Sequence, residues 1–225
     1  SVTVGIDEPD SMVAAARRHL DRGFRILKVK IGENAAQDIM CLRMIRDAAG
    51  PDIIIRVDAN EGYTATDAIE VARRLEDLDI ELFEQPVAAD RPDDLRRVGA
   101  ATRAPVLADE AVKVAGDLAP LVRSGAASGA NIKLMKCGGL GEARRIDAGL
   151  SQAGWRALVG CMDESRASIS AAAHFAASAP SVAWIDLDGH LDLAGDPFGG
   201  GFEIRDGEIV LDDKPGLGVL FEGFR

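Results

Sequence analysis

Apolar and polar positions alternate in blocks along this chain, and the blocks repeat. Short runs rich in Val, Ile and Leu are each followed by a longer stretch whose apolar residues recur at helical spacing. Thr3 to Ile6 reads as a first strand. Ser11 to Leu20 follows as a helix, with Ser11 as its N-cap, Met12, Val13, Ala16 and Leu20 on its apolar face, and Gly23 as its stop. The same reading predicts strands at 24–31, 53–58, 80–84, 105–109, 130–134, 157–160 and 182–185. Helices are predicted at 35–49, 66–78, 93–102, 117–123, 141–153 and 168–177.

Eight strands alternating with seven helices argue for a parallel sheet covered on both faces. So many units within about 190 residues favour an α/β barrel of the TIM type over an open doubly wound sheet. A doubly wound nucleotide fold carries a glycine-rich turn after its first strand, and here Ile6 is followed by Asp7-Glu8-Pro9. Beyond Asp188 the rhythm stops. Gly195 to Gly201 reads as a glycine-rich loop, and Phe202–Arg205 and Glu208–Leu211 flank Asp206-Gly207, a two-residue hairpin signal. The division expected is a barrel over 1–190 and a tail over 191–225 that packs on something outside the barrel.

The polar residues that close the apolar runs change this from a fold to a site. Asp58, Glu84 and Asp109 each end a predicted strand, at spacings of 26 and 25 residues. Lys30 lies 28 residues before the first and Lys133 lies 24 after the last. Barrel enzymes carry their chemistry at the C-terminal ends of the strands. Three carboxylates from adjacent strands, with no histidine near them, form a hard oxygen set that suits Mg²⁺ and not zinc. Lys30 and Lys133 fall on the second and sixth strands, which oppose each other in an eight-stranded ring. Lys28 shares a face with Lys30 and is expected to reach substrate; Asn131 shares a face with Lys133. Lys133 is preferred over Lys136 as the reactive lysine, Lys136 falling in the loop. A nearby cation and a second lysine are expected to favour the neutral amine, which makes a base. Such a pair can remove an α-proton on one face and return it on the other while a metal stabilises the enediolate, giving racemisation or epimerisation.

Composition narrows the alternatives. Hydrophobic residues make up 47% of the 225, enough for a large core, and the net charge of −11 argues against nucleic-acid and anionic-membrane surfaces. There is no apolar run of membrane-spanning length and no signal-like N-terminus, so a cytoplasmic protein is the default expectation. The three cysteines have neither disulfide nor zinc spacing, and of these Cys161, at a strand end, could line a pocket.

Lys28-Val29-Lys30, Asp58-Ala59-Asn60, Glu84-Gln85-Pro86, Asp109-Glu110 and Asn131-Ile132-Lys133-Leu134-Met135-Lys136-Cys137-Gly138-Gly139 resemble, in order and spacing, the enolase superfamily in its muconate-lactonizing subgroup. The resemblance runs from Ser1 to about Gly218. It implies a (β/α)7β barrel, Mg²⁺ on Asp58, Glu84 and Asp109, and Lys30 and Lys133 as the acid/base pair. Asn60 and Glu110 are implied as partners of the ligands. Asp186-Leu187-Asp188 resembles the acid pair with which dipeptide epimerases, such as those of the L-Ala-D/L-Glu type, bind a substrate's α-ammonium group. Cys161-Met162-Asp163-Glu164-Ser165 is similar to the same group, with Asp163 or Glu164 biasing side-chain choice toward a basic residue. The family also carries an N-terminal capping domain, and the chain is expected to lack it, its tail hairpin being the part that would pack there. The expected activity is epimerisation of the C-terminal residue of a dipeptide. Still open are another reaction of the subgroup (o-succinylbenzoate synthesis, N-acylamino-acid racemisation or cycloisomerisation) and an inactive metal-binding barrel. A homo-oligomer is compatible with either.

Overall fold

The computed structural model describes residues 1–223. Among these, eight parallel strands pair in sequence order. They are β1 (Val2–Val4), β2 (Ile26–Lys30), β3 (Ile54–Asp58), β4 (Ile80–Glu84), β5 (Val106–Ala108), β6 (Gly129–Lys133), β7 (Arg156–Gly160) and β8 (Val182–Asp186). Between them run α1 (Pro9–Asp21), α2 (Ala35–Ala49), α3 (Ala65–Arg74), α4 (Pro92–Gly99), α5 (Leu118–Ser124), α6 (Leu134–Cys137), α7 (Leu140–Ala153) and α8 (Arg166–Ser178). The seam between β8 and β1 is bridged by single bonds. Thr3 N–H donates to Asp188 Oδ2 (2.6 Å), and the Ser1 ammonium and Oγ donate to the Ile185 carbonyl (3.1 and 3.3 Å), which also accepts Arg56 Nη1–H from β3 (2.9 Å). The sheet is thus the barrel the alternating blocks predict.

The element ends differ from the sequence reading in instructive places. α1 begins at Pro9 and not at Ser11, because proline suits a first helical turn, where its missing N–H is no loss. Asn34 caps α2 as a side-chain acceptor for Ala36 and Gln37 N–H (both 3.1 Å). Lys136, expected in a loop, sits in α6, and part of the glycine-rich loop is β9 (Phe198–Gly200), paired antiparallel with β12 (Val219–Phe221). That pairing is remote in sequence and leaves no local periodicity.

Alternation along each strand divides the interior in two. Outward residues such as Leu27, Val29, Ile55, Val57, Ile132 and Val159 are buried against the helices and form the main core. Each such side chain contributes about 1.5–3 kcal/mol by leaving water. Inside the barrel, Leu82, Leu107 and Leu158 form a separate cluster with Trp184. The matching inward positions of β2 and β3 carry Lys28 and Arg56, both buried, so one side of the barrel interior is apolar and the other charged.

After β8 the hairpin of β10 (Phe202–Arg205) and β11 (Glu208–Leu211) turns through Asp206 and Gly207, both at positive φ. Ile209 and Leu211 share an apolar cleft with Ala173, Ala176 and Ile185. A Cβ on Gly207 would lie 2.7 Å from Phe24 Cα, so only glycine lets the turn sit that close to the loop after α1. The hairpin therefore packs beside α8, on the outside of β8. Its apolar face is committed to the barrel, and its outer face, with Glu203, Arg205 and Val210, is available to anything beyond it.

Candidate active site

Strand register brings the predicted residues into rows. Lys30, Asp58 and Glu84 are direct neighbours across β2, β3 and β4; Lys133, Gly160 and Asp186 are neighbours across β6, β7 and β8. Asp109 follows directly on β5. The three acids are buried, at 0%, 0% and 1% exposure, and offer oxygens that all lie within 4.8 Å of one another. At that spacing and an effective dielectric constant of about 20, repulsion is on the order of 3 kcal/mol per pair. The site needs cations to exist.

Four lysines supply part of that charge. Lys28 Nζ contacts Asp58 Oδ2 (3.0 Å), Glu84 Oε2 (2.9 Å) and Asp186 Oδ2 (2.9 Å). Its ammonium is ringed by three carboxylates at the wall of the cavity that it also lines. Burial opposes its charge, yet Asp186, Glu84 and Asp58 outweigh burial and hold its pKa well above the ordinary value. Lys30 Nζ donates to Asp58 Oδ2 (2.8 Å) and Asn60 Oδ1 (2.7 Å). Lys133 Nζ pairs with Asp109 Oδ2 (2.7 Å), and Lys136 Nζ with Asp109 Oδ1 (2.5 Å) and the Asn131 carbonyl (2.9 Å). The expected neutral amine depends on a bound cation, and without one the pKa of Lys133 moves the other way. Burial lowers it, but the bond to Asp109 wins and its pKa is raised.

The balance is incomplete at Glu84. Burial and the neighbouring Asp58 push its carboxyl up to about 8. Its Oε1 accepts Asn131 Nδ2–H (2.7 Å), while among the described residues Oε2 is left with the ion pair to Lys28 Nζ (2.9 Å) and no hydrogen bond. A buried, under-satisfied carboxylate between two others fits a divalent cation, and an all-carboxylate set fits the hard ions.

Three residues that carry no assigned role in the sequence reading hold this cluster in place. Gln85 Oε1 accepts the Asp109 and Ala111 N–H groups (2.7 and 3.3 Å), and its Nε2 donates to the Val87 carbonyl (2.8 Å). Asn131 orients Glu84 and fits because Gly160 stands opposite, where a Cβ would lie 2.6 Å from Asn131 Oδ1. Lys136 clamps the Asp109 carbonyl as well as its carboxylate. Glutamine directly after the strand-end acid and the inward register of Asn131 were the available signals. Asn60 Nδ2 donates to Glu110 Oε1 (3.0 Å), so the implied partners of the ligands meet each other.

A cavity of about 350 Å³ opens over the cluster. Its walls include Lys28, Lys30, Asn60, Asp109, Glu110, Lys133, Cys161, Asp163, Asp186 and Asp188, along with Thr3, Lys136 and Asp192. Asp186 is held by Lys28 and by Ser1 Oγ (2.6 Å), and although burial works against its charge, Lys28 keeps its pKa low. Among the described residues Asp188 accepts the Thr3 N–H (2.6 Å) and lies 3.8 Å from the Cys161 thiol, and burial and then Asp186 raise its pKa. Cys161 Sγ accepts the Gly189 N–H (3.3 Å); burial and then Asp188 raise its pKa, which leaves a protonated wall residue. Of the two acids after β7, Asp163 lines the cavity, whereas buried Glu164 turns back to accept Met162 N–H (2.8 Å) and Ser168 Oγ–H. His190 does not line the cavity and packs edge-on against Phe202, 5.0 Å between centroids.

Residues 11–222 match the enolase C-terminal domain-like family. The chain belongs to that family. It is 43% identical to the L-Lys-D/L-Arg epimerase of Methylococcus capsulatus over 98% of its length and 62% of that protein's. It superposes on the substrate-liganded L-Ala-D/L-Glu epimerase of Bacillus subtilis with a TM-score of 0.95 and 38% identity, covering 100% of this chain and 63% of that one. For a dipeptide epimerase from Methylococcus capsulatus complexed with Mg and the dipeptide L-Arg-D-Lys the TM-score is 0.94 at 42% identity, over 98% and 63% of the chains. The chain thus spans less than two thirds of these relatives. No helix among the described residues is long and apolar enough to cross a membrane.

Proposed function

We propose that this chain carries the active site of a Mg²⁺-dependent dipeptide epimerase that inverts the α-carbon of the C-terminal residue. The observation that carries this is the placement of the lysines. Lys30 on β2 and Lys133 on β6 are four strands apart in an eight-stranded ring, and each is bonded to a different acid of the same cluster. Asp58, Glu84 and Asp109 would hold Mg²⁺, which supplies positive charge to offset the charge that develops on the substrate carboxylate. The likeness to relatives solved with Mg and dipeptides supports the choice of ion and substrate.

In this reading Asp188, backed by Asp186, takes the free α-ammonium group and fixes the dipeptide across the cavity. One lysine, as the free amine, accepts the α-proton at its Nζ. The other, as the ammonium, delivers a proton to the opposite face of the same carbon. Lys28 and Lys136 hold the acids in place and keep Asp58, Asp109 and Asp186 charged. Asp186 and Asp188 separate this reaction from the others of the subgroup, whose substrates have no free amine to bind.

The test is incubation of the Mg²⁺-loaded protein with dipeptides in D₂O. Deuterium should enter the α-position of the C-terminal residue, read by mass, as the second epimer appears. Entry into N-acylated amino acids but not into dipeptides would overturn the assignment.

A further inference from the structure

Lys30 is held from two places of different firmness. Asp58 ends β3 and is fixed by the sheet, whereas Asn60 stands in the turn 59–64 that follows, so its position is that of the turn. This turn is strained. Asn60 and Glu61 are both left-handed, at φ of 41° and 69°, a conformation that non-glycine residues keep only where their surroundings enforce it. On the β4 side the enforcement is backbone: Glu61 and Tyr63 N–H donate to the Gln85 and Pro86 carbonyls (2.9 and 3.2 Å). On the other side the turn packs on residues 31–34, which follow Lys30 directly. A Cβ on Gly32 would collide with the Ala59 carbonyl, and one on Gly62 with the Gly32 carbonyl. A side-chain bond joins the same two turns. Tyr63 Oη donates to Asp38 Oδ2 (2.5 Å), and that oxygen also accepts the Gly32 and Asn34 N–H groups (3.0 and 3.3 Å). Asp38 and Tyr63 are buried, at 6% and 7% exposure, and neither lines the cavity, so neither touches substrate. Burial and then the bond to Asp38 raise the Tyr63 pKa, which keeps the hydroxyl a donor.

We infer, resting on the epimerase reading, that Asp38 and Tyr63 are positioning residues for the Lys30 face of the reaction. Their bond fixes the turn after β3 against the turn after β2, and with it Asn60 Oδ1 against Lys30 Nζ. Lys30 is a quarter exposed and has a long, flexible stem, so its aim at the α-carbon depends on that second contact. The Lys133 face is built differently. Lys133 pairs with Asp109, directly after β5, whose N–H is held by Gln85 and which has no contact with Asp38 or Tyr63. Loosening the Asp38–Tyr63 bond therefore reaches one proton-transfer face and not the other.

The experiment follows α-proton exchange in D₂O from each epimer of one dipeptide on the Mg²⁺-loaded protein. The face that Lys30 serves is the one whose exchange is lost in Lys30→Ala. Tyr63→Phe keeps the buried ring and removes the bond. It should slow exchange at that face about fivefold, the worth of one hydrogen bond, in kcat and not in KM, and leave the Lys133 face unchanged. Added to Asn60→Ala it should slow that face no further, because its route to Lys30 is already gone. Asp38→Asn keeps an acceptor oxygen for Tyr63 and should fall between Tyr63→Phe and the parent protein. Slowing of the Lys133 face, alone or with the other, would overturn the inference, since the pair would then act on the whole cluster. Parent-like exchange at both faces of Tyr63→Phe would overturn it and leave the epimerase reading standing. No exchange in any dipeptide by the parent protein would overturn both.

Discussion

The two flanks of the acid cluster carry the same residue type in different settings. On the β2 flank Lys28 is sealed beneath three carboxylates, while Lys30, a quarter exposed, reaches Asp58 and Asn60. On the β6 flank both lysines converge on one acid: Lys133 takes one oxygen of Asp109 and Lys136 the other. All four line the cavity, and each flank pairs a lysine with fewer partners, Lys30 or Lys133, with one held by three contacts, Lys28 or Lys136. The difference teaches how the charge is shared. Lys28 ties the metal-type acids to Asp186 across the ring, whereas Lys136 ties Asp109 to its own backbone and to the next strand. The β2 flank joins the cluster to the substrate's amine site; the β6 flank braces a single ligand.

The largest effect should come from removing the reactive lysine of either flank. Lys30→Ala and Lys133→Ala should each slow epimerisation by about 10³, within the range of a lost acid/base group. The two variants should part company in D₂O. Each should retain α-proton exchange from one epimer, and the retained epimer should be opposite in the two. Exchange surviving from the same epimer in both would break the two-face arrangement.

The lysines held by three contacts come next. Lys28→Met leaves Asp58, Glu84 and Asp186 buried without their common counter-charge, and should cost about 3–5 kcal/mol of stability. Lys136→Met removes one of two cations on Asp109 and should cost less, about 1.5–3 kcal/mol. Denaturant melts of the two variants give the order, and equal losses would erase the contrast between the flanks. Asp188→Asn follows. It should lower kcat/KM by about tenfold for dipeptides with a free amine while the N-acetylated dipeptide stays as poor as with the parent protein.

How much of this was legible in the sequence depends on the range of the interactions. The barrel, the three acids and the opposed lysines follow from period and strand-end position, because a strand end in a covered parallel sheet has one inward direction. The roles of Lys28 and Lys136 were not legible in the same way. Which of two nearby lysines meets substrate depends on which acids from other strands surround it, and that is set by β8 for Lys28 and by β5 for Lys136. Glu164 and Asp163 are adjacent in sequence yet face opposite ways because Met162 N–H and Ser168 draw one of them inward. The Asp206-Gly207 turn marks the hairpin, but nothing local marks its seat on α8, since Ile209 and Leu211 alternate alike whatever they pack against.

The smallest effect expected separates the flanks most finely. Asn60 exists only on the β2 side of the comparison: its Oδ1 accepts from Lys30 and its Nδ2 donates to Glu110, at a left-handed φ of 41° that asparagine tolerates better than most residues. Asn60→Ala loses both bonds and puts a poorer residue in that conformation; Asn60→Gly loses the bonds and relieves the backbone. Both should slow exchange severalfold, about 1 kcal/mol, for the epimer that Lys30 serves, identified as the one lost in Lys30→Ala. Neither should alter exchange at the Lys133 face. The two should differ in stability alone, Asn60→Gly melting above Asn60→Ala. If both faces slow together, Asn60 acts on the whole acid cluster through Asp58, whose Oδ1 accepts the Asn60 N–H (3.0 Å), and not on the lysine it touches.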